Sequence, residues 1–277
     1  MTQTSPPEPY VLGHNDEEQR RLITQARHIA PLTRQLLAAA GLRAGMRVLD
    51  FGCGLGDGSL LLAEYVGESG LVVGMDRAPD AIAVAAQRMQ SARCLRFVAG
   101  DQHALSSLSH EPFDAVFGRL VLMHQPDPAA LLTALKACVR PGGLLVFQEL
   151  SLPETVLCIN PSPTLLQAVH WMRQAFLRAG VETAMGLKLY DVFVQAGLPA
   201  PQMQAQGLVG TGTDAASCDY FVQTLRSLQP VMSRLGMELP SALRTEHLAD
   251  QIQSELQVHG PSVWPLVFGA WCRLPTE

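Results

Sequence analysis

Four glycines, Gly52, Gly54, Gly56 and Gly58, crowd the stretch VLDFGCGLGDGS at residues 48–59. The residues before them, ending in Asp50, read as a strand, and GSLLLAEYV reads as a helix. A turn so bare suits a ligand lying on the main chain. Glycine reaches positive φ and presents no Cβ, and the helix start behind it can donate N–H groups. Two chemistries fit. A pyrophosphate wants a third glycine, counting from Gly52, where this chain carries Asp57, whose carboxylate repels phosphate. A sulfonium-bearing ligand with a free amino group has no phosphate and tolerates carboxylates nearby. The bland alternative is a glycine turn with no ligand.

Two further carboxylates stand at strand ends. VVGMD closes on Asp76, 24 residues beyond Gly52, where it can accept both hydroxyls of a ribose. Its plainer role is to cap the helix beginning near Pro79. AGDQH places Asp101 just past the next strand, set to accept from an adenine amino group, although turns also use aspartate. Main chain, sugar and base together describe a nucleoside pocket, and the combination is more specific than any member.

The elements that must hold these residues alternate. Asn15 to Ala40 is helical, with Leu22, Ile23, Ala26 and Ile29 on one face. Asn15 or Asp16 caps the start, and Pro31 is expected to divide the stretch into two helices. MRVLDF, GLVVGMD, CLRFVAGD, FDAVFG and GLLVFQEL read as strands, the last following the turn RPGG. APDAIAVAAQRMQ and PAALLTALKACV read as helices. Such alternation predicts an α/β, doubly wound parallel sheet, with ligands outside the carboxyl ends of its strands. Beyond Leu150 the rhythm changes. Helical insertions over about 160–180 and 213–259 flank a helix–strand pair, GLKLYDVFVQAGL and PQMQAQGLV, and SVWPLVFGAWCRL is a last strand. The expected division is a helical cover over 1–44, a ligand-binding core over 45–150, and a sheet-completing, lid-bearing part over 151–277.

The 277 residues are 48% hydrophobic and 16% charged, which supports a sizeable core. A net charge of −5 without a basic stripe disfavours nucleic acid as a partner. No apolar run reaches the roughly 18 residues of a membrane span, and MTQTSPPEP has neither a basic nor an apolar leader region. Six cysteines without CxxC pairing read as reduced thiols of a cytoplasmic protein. The eight histidines are dispersed, so no metal site is expected.

Taken together, VLDFGCGLG, VVGMD, GDQ and FDAVFGRLVLMHQPDPAALLTALKACVRPGGLLVFQE resemble the class I S-adenosylmethionine-dependent methyltransferases. The likeness is to the bacterial small-molecule type related to ubiquinone and menaquinone biosynthesis. It implies a Rossmann-like seven-stranded sheet, mostly parallel with an antiparallel last strand, and S-adenosylmethionine as cofactor. It also implies an N-terminal cover like YVLGHNDEEQRRLITQA and a C-terminal stretch, PLVFGAWCRLP, closing the sheet. By position, Gly52 and Gly54 would line the methionine moiety. Asp76 would bind the ribose with Arg77 beside it, Asp101 and Gln102 would hold the adenine, and Arg119 would meet the carboxylate. Tyr10 and Gln25 of the cover are further contacts, Tyr10 being equally explained as a packing anchor.

If the acceptor must lose a proton, His124 and Glu149 are the candidate bases, and His170 with Trp171 could reach in from a lid. Their plainer roles are to brace a turn, to cap, and to pack a helix. Late aromatic residues, among them Phe176, Tyr220 and Phe221, suit a hydrophobic or aromatic small-molecule acceptor. The competing readings are a nicotinamide-dependent oxidoreductase and a non-catalytic cofactor-binding protein. Homodimer formation is left open.

Overall fold

Apolar runs and amphipathic segments give seven strands and ten α-helices among the described residues of the computed structural model, which are 16–108, 111–153, 158–213 and 215–276. The first half runs α1 (Asp16–Ala40), β1 (Arg47–Phe51), α2 (Asp57–Val66), β2 (Leu71–Asp76), α3 (Pro79–Arg88), β3 (Leu95–Ala99), a short α4 (Leu105–Leu108), β4 (Phe113–Arg119), α5 (Pro128–Lys136) and β5 (Val139–Ser151). The second half adds α6 (Pro163–Arg178), α7 (Met185–Gln195), β6 (Gln202–Gly210), α8 (Ala215–Ser227), α9 (Gln229–Arg234), α10 (Leu248–His259) and β7 (Ser262–Arg273).

The strands form one sheet in the order β3-β2-β1-β4-β5-β7-β6, with β7 antiparallel to both neighbours. This is the expected doubly wound class. Strands β1, β2 and β4 lie inside and are buried on both faces, which is why they read as continuous apolar runs. Alternate residues feed two cores: Val48 packs with Leu37, Leu62 and Val146, whereas the next residue, Leu49, packs with Val116, Leu131 and Phe147. Local signals start the helices. Asp127 accepts from the Ala130 N–H at 2.9 Å and Ser162 from the Leu165 N–H at 3.1 Å, each followed by a proline at the first helical position. Such caps stabilise a helix by about 1 kcal/mol.

Two expectations need correction. Pro31 does not divide the first helix, because α1 continues through it. Pro31 and Arg27, whose carbonyl loses its N–H partner to the proline ring, are both exposed, so water can take the carbonyl. The segment RPGG is not a turn before β5 but a bulge within it. Pairing steps from Phe113 opposite Val139 to Ala115 opposite Leu144, and Gly142 takes φ of 71°. The C-terminal strand completes the sheet as expected, antiparallel to its neighbours. β7 inserts between β5 and β6, leaving β6 outermost. Among the described residues no helix is long and apolar enough to cross a membrane, and all six cysteines are free.

Candidate active site

A cavity of about 1140 Å³ runs along the edge of the sheet where the parallel strands end. Strand order reverses between β1 and β4, so the connections after them leave in opposite directions and open a crevice there. β7, being antiparallel, brings its first residues to the same edge, and Trp264 and Pro265 line the cavity beside Leu150 and Leu152 at the end of β5.

The glycine loop forms one wall. Gly52 and Cys53 donate to the Met75 carbonyl at 2.8 and 3.0 Å, tying the loop to the tip of β2. Gly52, Gly54 and Gly56 have φ of 70°, 52° and 84°, which explains glycine at all three. Their surroundings differ. A Cβ on Gly52 would meet Val121 at 2.4 Å, whereas one on Gly54 would meet nothing within 4 Å and project into open space. Asp57, at the position where a dinucleotide site wants glycine, opens α2 and pairs with Arg88 at 2.8 Å.

The three strand-end carboxylates are brought together on the cavity wall. Asp76 accepts from the Gly54 N–H on one oxygen and the Ala78 N–H on the other, both at 2.9 Å, so it holds the loop and the entrance to α3 at once. Asp101 is exposed and accepts from the His103 N–H at 2.9 Å, with Gln102 next to it on the wall. Arg77 lines the same region. Asp50 at the end of β1 is buried, and burial pushes its carboxyl up to about 6, opposed by the Ser59 hydroxyl bonded to it at 2.6 Å and by nearby Arg119. Arg119 donates to the Thr33 hydroxyl at 3.3 Å, and Thr33 donates to Gln148 at 2.6 Å, so α1 and β5 fix its direction. The Cys53 thiol on the wall is driven strongly upward by burial and stays protonated.

His124 ends a 3₁₀ turn, Leu122–His124, and lines the cavity. Burial, with Arg77 and Arg21 nearby, lowers its ring to about 4, so the ring is neutral at physiological pH. Glu149 is fully buried and is not among the cavity-lining residues. One of its oxygens accepts from the Val121 and Leu122 N–H groups at 2.9 and 2.7 Å, and the other from Met123 at 3.4 Å. Its carboxylate therefore holds the turn that carries His124 and does not face the cavity. Leu120, just before this turn, has φ of 58°, a strained value for a leucine.

The opposite wall is apolar. From α6 it is Met172 and Phe176 that face inward. His170 is exposed and Trp171 packs against the core, so neither predicted lid residue reaches the cavity. The helical period puts the inward face one position beyond the predicted pair. Tyr220 and Phe221 of α8 do line it. Gln25, predicted as a cofactor contact, also lines the cavity and donates to the Tyr220 hydroxyl at 2.9 Å. Tyr10 lies outside the described residues. Sequence reasoning missed Glu18 and Arg21, a buried bidentate pair on α1 at 2.6 and 2.8 Å that lines the cavity. Their spacing of one helical turn was the available signal. Among the described residues no group of three metal-ligating side chains assembles.

Comparison with known proteins gives the family and the fold. A family model described as a methyltransferase domain matches residues 42–184. A 37.1 kDa protein in transposon TN4556 of Streptomyces fradiae is 35% identical over 198 residues, covering 72% of this chain and 56% of that protein. The demethylmenaquinone methyltransferase of Shouchella clausii is 30% identical over 169 residues, covering 56% of this chain and 72% of the other. The chain spans about half the length of the transposon protein and of the demethylmenaquinone methyltransferase of Staphylococcus aureus, which it also matches. In fold, a Haemonchus contortus phosphoethanolamine N-methyltransferase 2, solved with S-adenosylhomocysteine, superposes with a TM-score of 0.52 at 17% identity, covering 89% of this chain and 53% of that one. A family model matching over half the chain, on a sheet of this order with its glycine loop at the strand reversal, shows that the chain belongs to the class I S-adenosylmethionine-dependent methyltransferases.

Proposed function

We propose that the chain transfers a methyl group from S-adenosylmethionine to a small apolar or aromatic acceptor. The observation that carries this reading is the two-sided cavity. The glycine loop and the carboxylates of three strand ends line one side, and Met172, Phe176, Phe221 and Trp264 line the other. The likeness to demethylmenaquinone methyltransferases supports an apolar acceptor.

The residues present fit the cofactor. The empty space above Gly54 is what a ligand crossing the main chain needs. Asp76 keeps lone pairs for ribose hydroxyls while its two N–H partners hold it in place. Asp101 and Gln102 would hold the adenine amino group, Arg119 would meet the methionine carboxylate, and Arg77 would flank the sugar. When bound, the cofactor supplies a methyl group activated on a sulfonium, open to in-line displacement. The chain contributes alignment and exclusion of water. Neutral His124 would hydrogen-bond the acceptor and receive its proton where one must leave, and Glu149 acts on this site through the turn it holds. The protonated Cys53 thiol is no nucleophile.

The test is a panel of phenols, quinols, aliphatic amines and carboxylates incubated with the full chain and methyl-labelled S-adenosylmethionine. Label is expected in the aromatic acceptors, at a rate that the charged aliphatic ones do not approach. Label only in the charged acceptors would overturn the acceptor class. Failure to bind S-adenosylhomocysteine by calorimetry would overturn the cofactor assignment.

A further inference from the structure

A second cavity, of about 180 Å³, adjoins the first. The two share Tyr220, Phe221 and Trp264, which stand between them as an aromatic partition. Phe221 and Trp264 rings lie 4.7 Å apart and tilted by 52°, and Tyr220 stacks on His28 at 5.4 Å. The partition is made of side chains alone. Rotation of Phe221 would join the cavities without moving a strand, whereas Tyr220 is fixed by Gln25 and Trp264 by the Pro153 carbonyl. The far chamber is walled by Leu165, Leu208, Cys218, Ile252 and Leu256, all apolar. His28, bonded to the Thr24 carbonyl, and Ser262 add polar atoms, and of the two it is Ser262, 3% exposed, whose hydroxyl has no hydrogen-bond partner among the described residues. A buried hydroxyl left unpaired is unfavourable, and so is apolar surface left in contact with water. A ligand that filled the chamber and reached Ser262 would relieve both.

We propose that this chamber is a subsite for the distal arm of an elongated acceptor: its methyl-accepting head lies in the main cavity, an apolar arm passes the Phe221–Trp264 partition, and a polar atom on that arm pairs with Ser262. The proposal rests on the acceptor reading above and adds the shape of the substrate to it. The apolar lining selects hydrocarbon for the arm, and the volume limits the arm to a short aliphatic or aromatic group.

The test titrates 4-n-alkylphenols, from methyl to octyl, into the full chain saturated with S-adenosylhomocysteine and reads affinity by calorimetry. Once the arm is long enough to pass the partition, binding is expected to tighten about threefold to fourfold per methylene, then level off when the chamber is full. Leu256→Phe, which fills the chamber, should flatten that rise while leaving S-adenosylhomocysteine affinity unchanged. Leu208→Phe, at a half-buried position on β6, serves the same end should the first variant fold poorly. An ω-hydroxy analogue of the octyl member should bind more tightly than the hydrocarbon, and Ser262→Ala should erase the difference. A rise that survives both filling variants, or no rise at all, overturns the subsite. Loss of S-adenosylhomocysteine binding in the unaltered chain instead overturns the methyltransferase reading beneath it.

Discussion

The Glu149 carboxylate, at the end of β5, accepts the Leu122 main-chain N–H at 2.7 Å, across from the end of β4. With Val121 and Met123 also donating to it, one buried side chain fixes the turn between Arg119 and His124. Val121 in turn lies where a Cβ on Gly52 would be. Glu149 thus sets the separation between the glycine loop and His124 without entering the cavity.

Removing that carboxylate should be costly. Glu149→Ala leaves three buried N–H groups without partners and is expected to lower stability by at least about 3 kcal/mol, read by chemical denaturation. Glu149→Gln keeps an acceptor and should cost less, with a pH signature. Burial raises the folded carboxyl to about 7, against the pull of its three N–H donors, while the unfolded one titrates in the ordinary range. A raised acid contributes stability that is complete below the unfolded range and is lost as pH rises through about 7. The glutamine variant has no such loss, so it should gain on the parent as pH climbs from about 5 to about 8. A stability difference independent of pH would falsify the assignment.

Asp76→Ala tests the sugar grip. Losing a charged acceptor for two hydroxyls should weaken S-adenosylhomocysteine binding at least about 100-fold by calorimetry, with the secondary structure retained in circular dichroism. An unchanged affinity would remove Asp76 from the proposed site.

Gly52 and Gly54 should separate binding from stability. Both sit at positive φ, which costs a β-carbon about 1–2 kcal/mol. Gly54→Ala should pay little more than that in folding, since its methyl meets open space, yet it should impair cofactor binding. Gly52→Ala must also displace Val121 and should be the less stable variant in a thermal melt. The reverse order of melting points would mean that the loop is arranged differently.

His124 should stay neutral down to about pH 5. Burial lowers its ring to about 4, so the folded state resists the proton that the unfolded chain takes up near 6.5. Its contribution to stability is therefore lost as pH falls through that interval. A ring titration followed by NMR should show no midpoint near 6.5, and the rate profile should have no limb there from this residue. A midpoint near 6.5 would place the ring in solvent.

The helices inserted after β5 have their own fastening. Glu255 on α10 accepts from the Ser162 and Thr164 hydroxyls at the start of α6 and from the Thr164 main chain. Glu255→Ala should lower the melting point and loosen both insertions, raising protease sensitivity near residues 160–180 while leaving the β1–β4 core protected. Uniform protection throughout would show that the helices do not depend on this contact.

The sequence by itself determined the scaffold, the glycine loop and the carboxylates at the strand ends. Those signals are local. Strands buried on both faces must read as apolar runs, positive φ calls for glycine at Gly52, Gly54 and Gly56, and a carboxylate closing a strand needs no distant partner to be placed at its tip. Only the tertiary structure decided which helix residues line the cavity. His170 and Met172 lie on one helix two positions apart, and nothing local tells which side of it will meet the cavity. The contacts that settle Glu149, Arg119 and Tyr220 join residues 28, 86 and 195 positions apart in the chain. Whether a carboxylate is a base or a brace depends on what the fold sets against it, and Glu149 meets three main-chain donors where a base would need the open cavity.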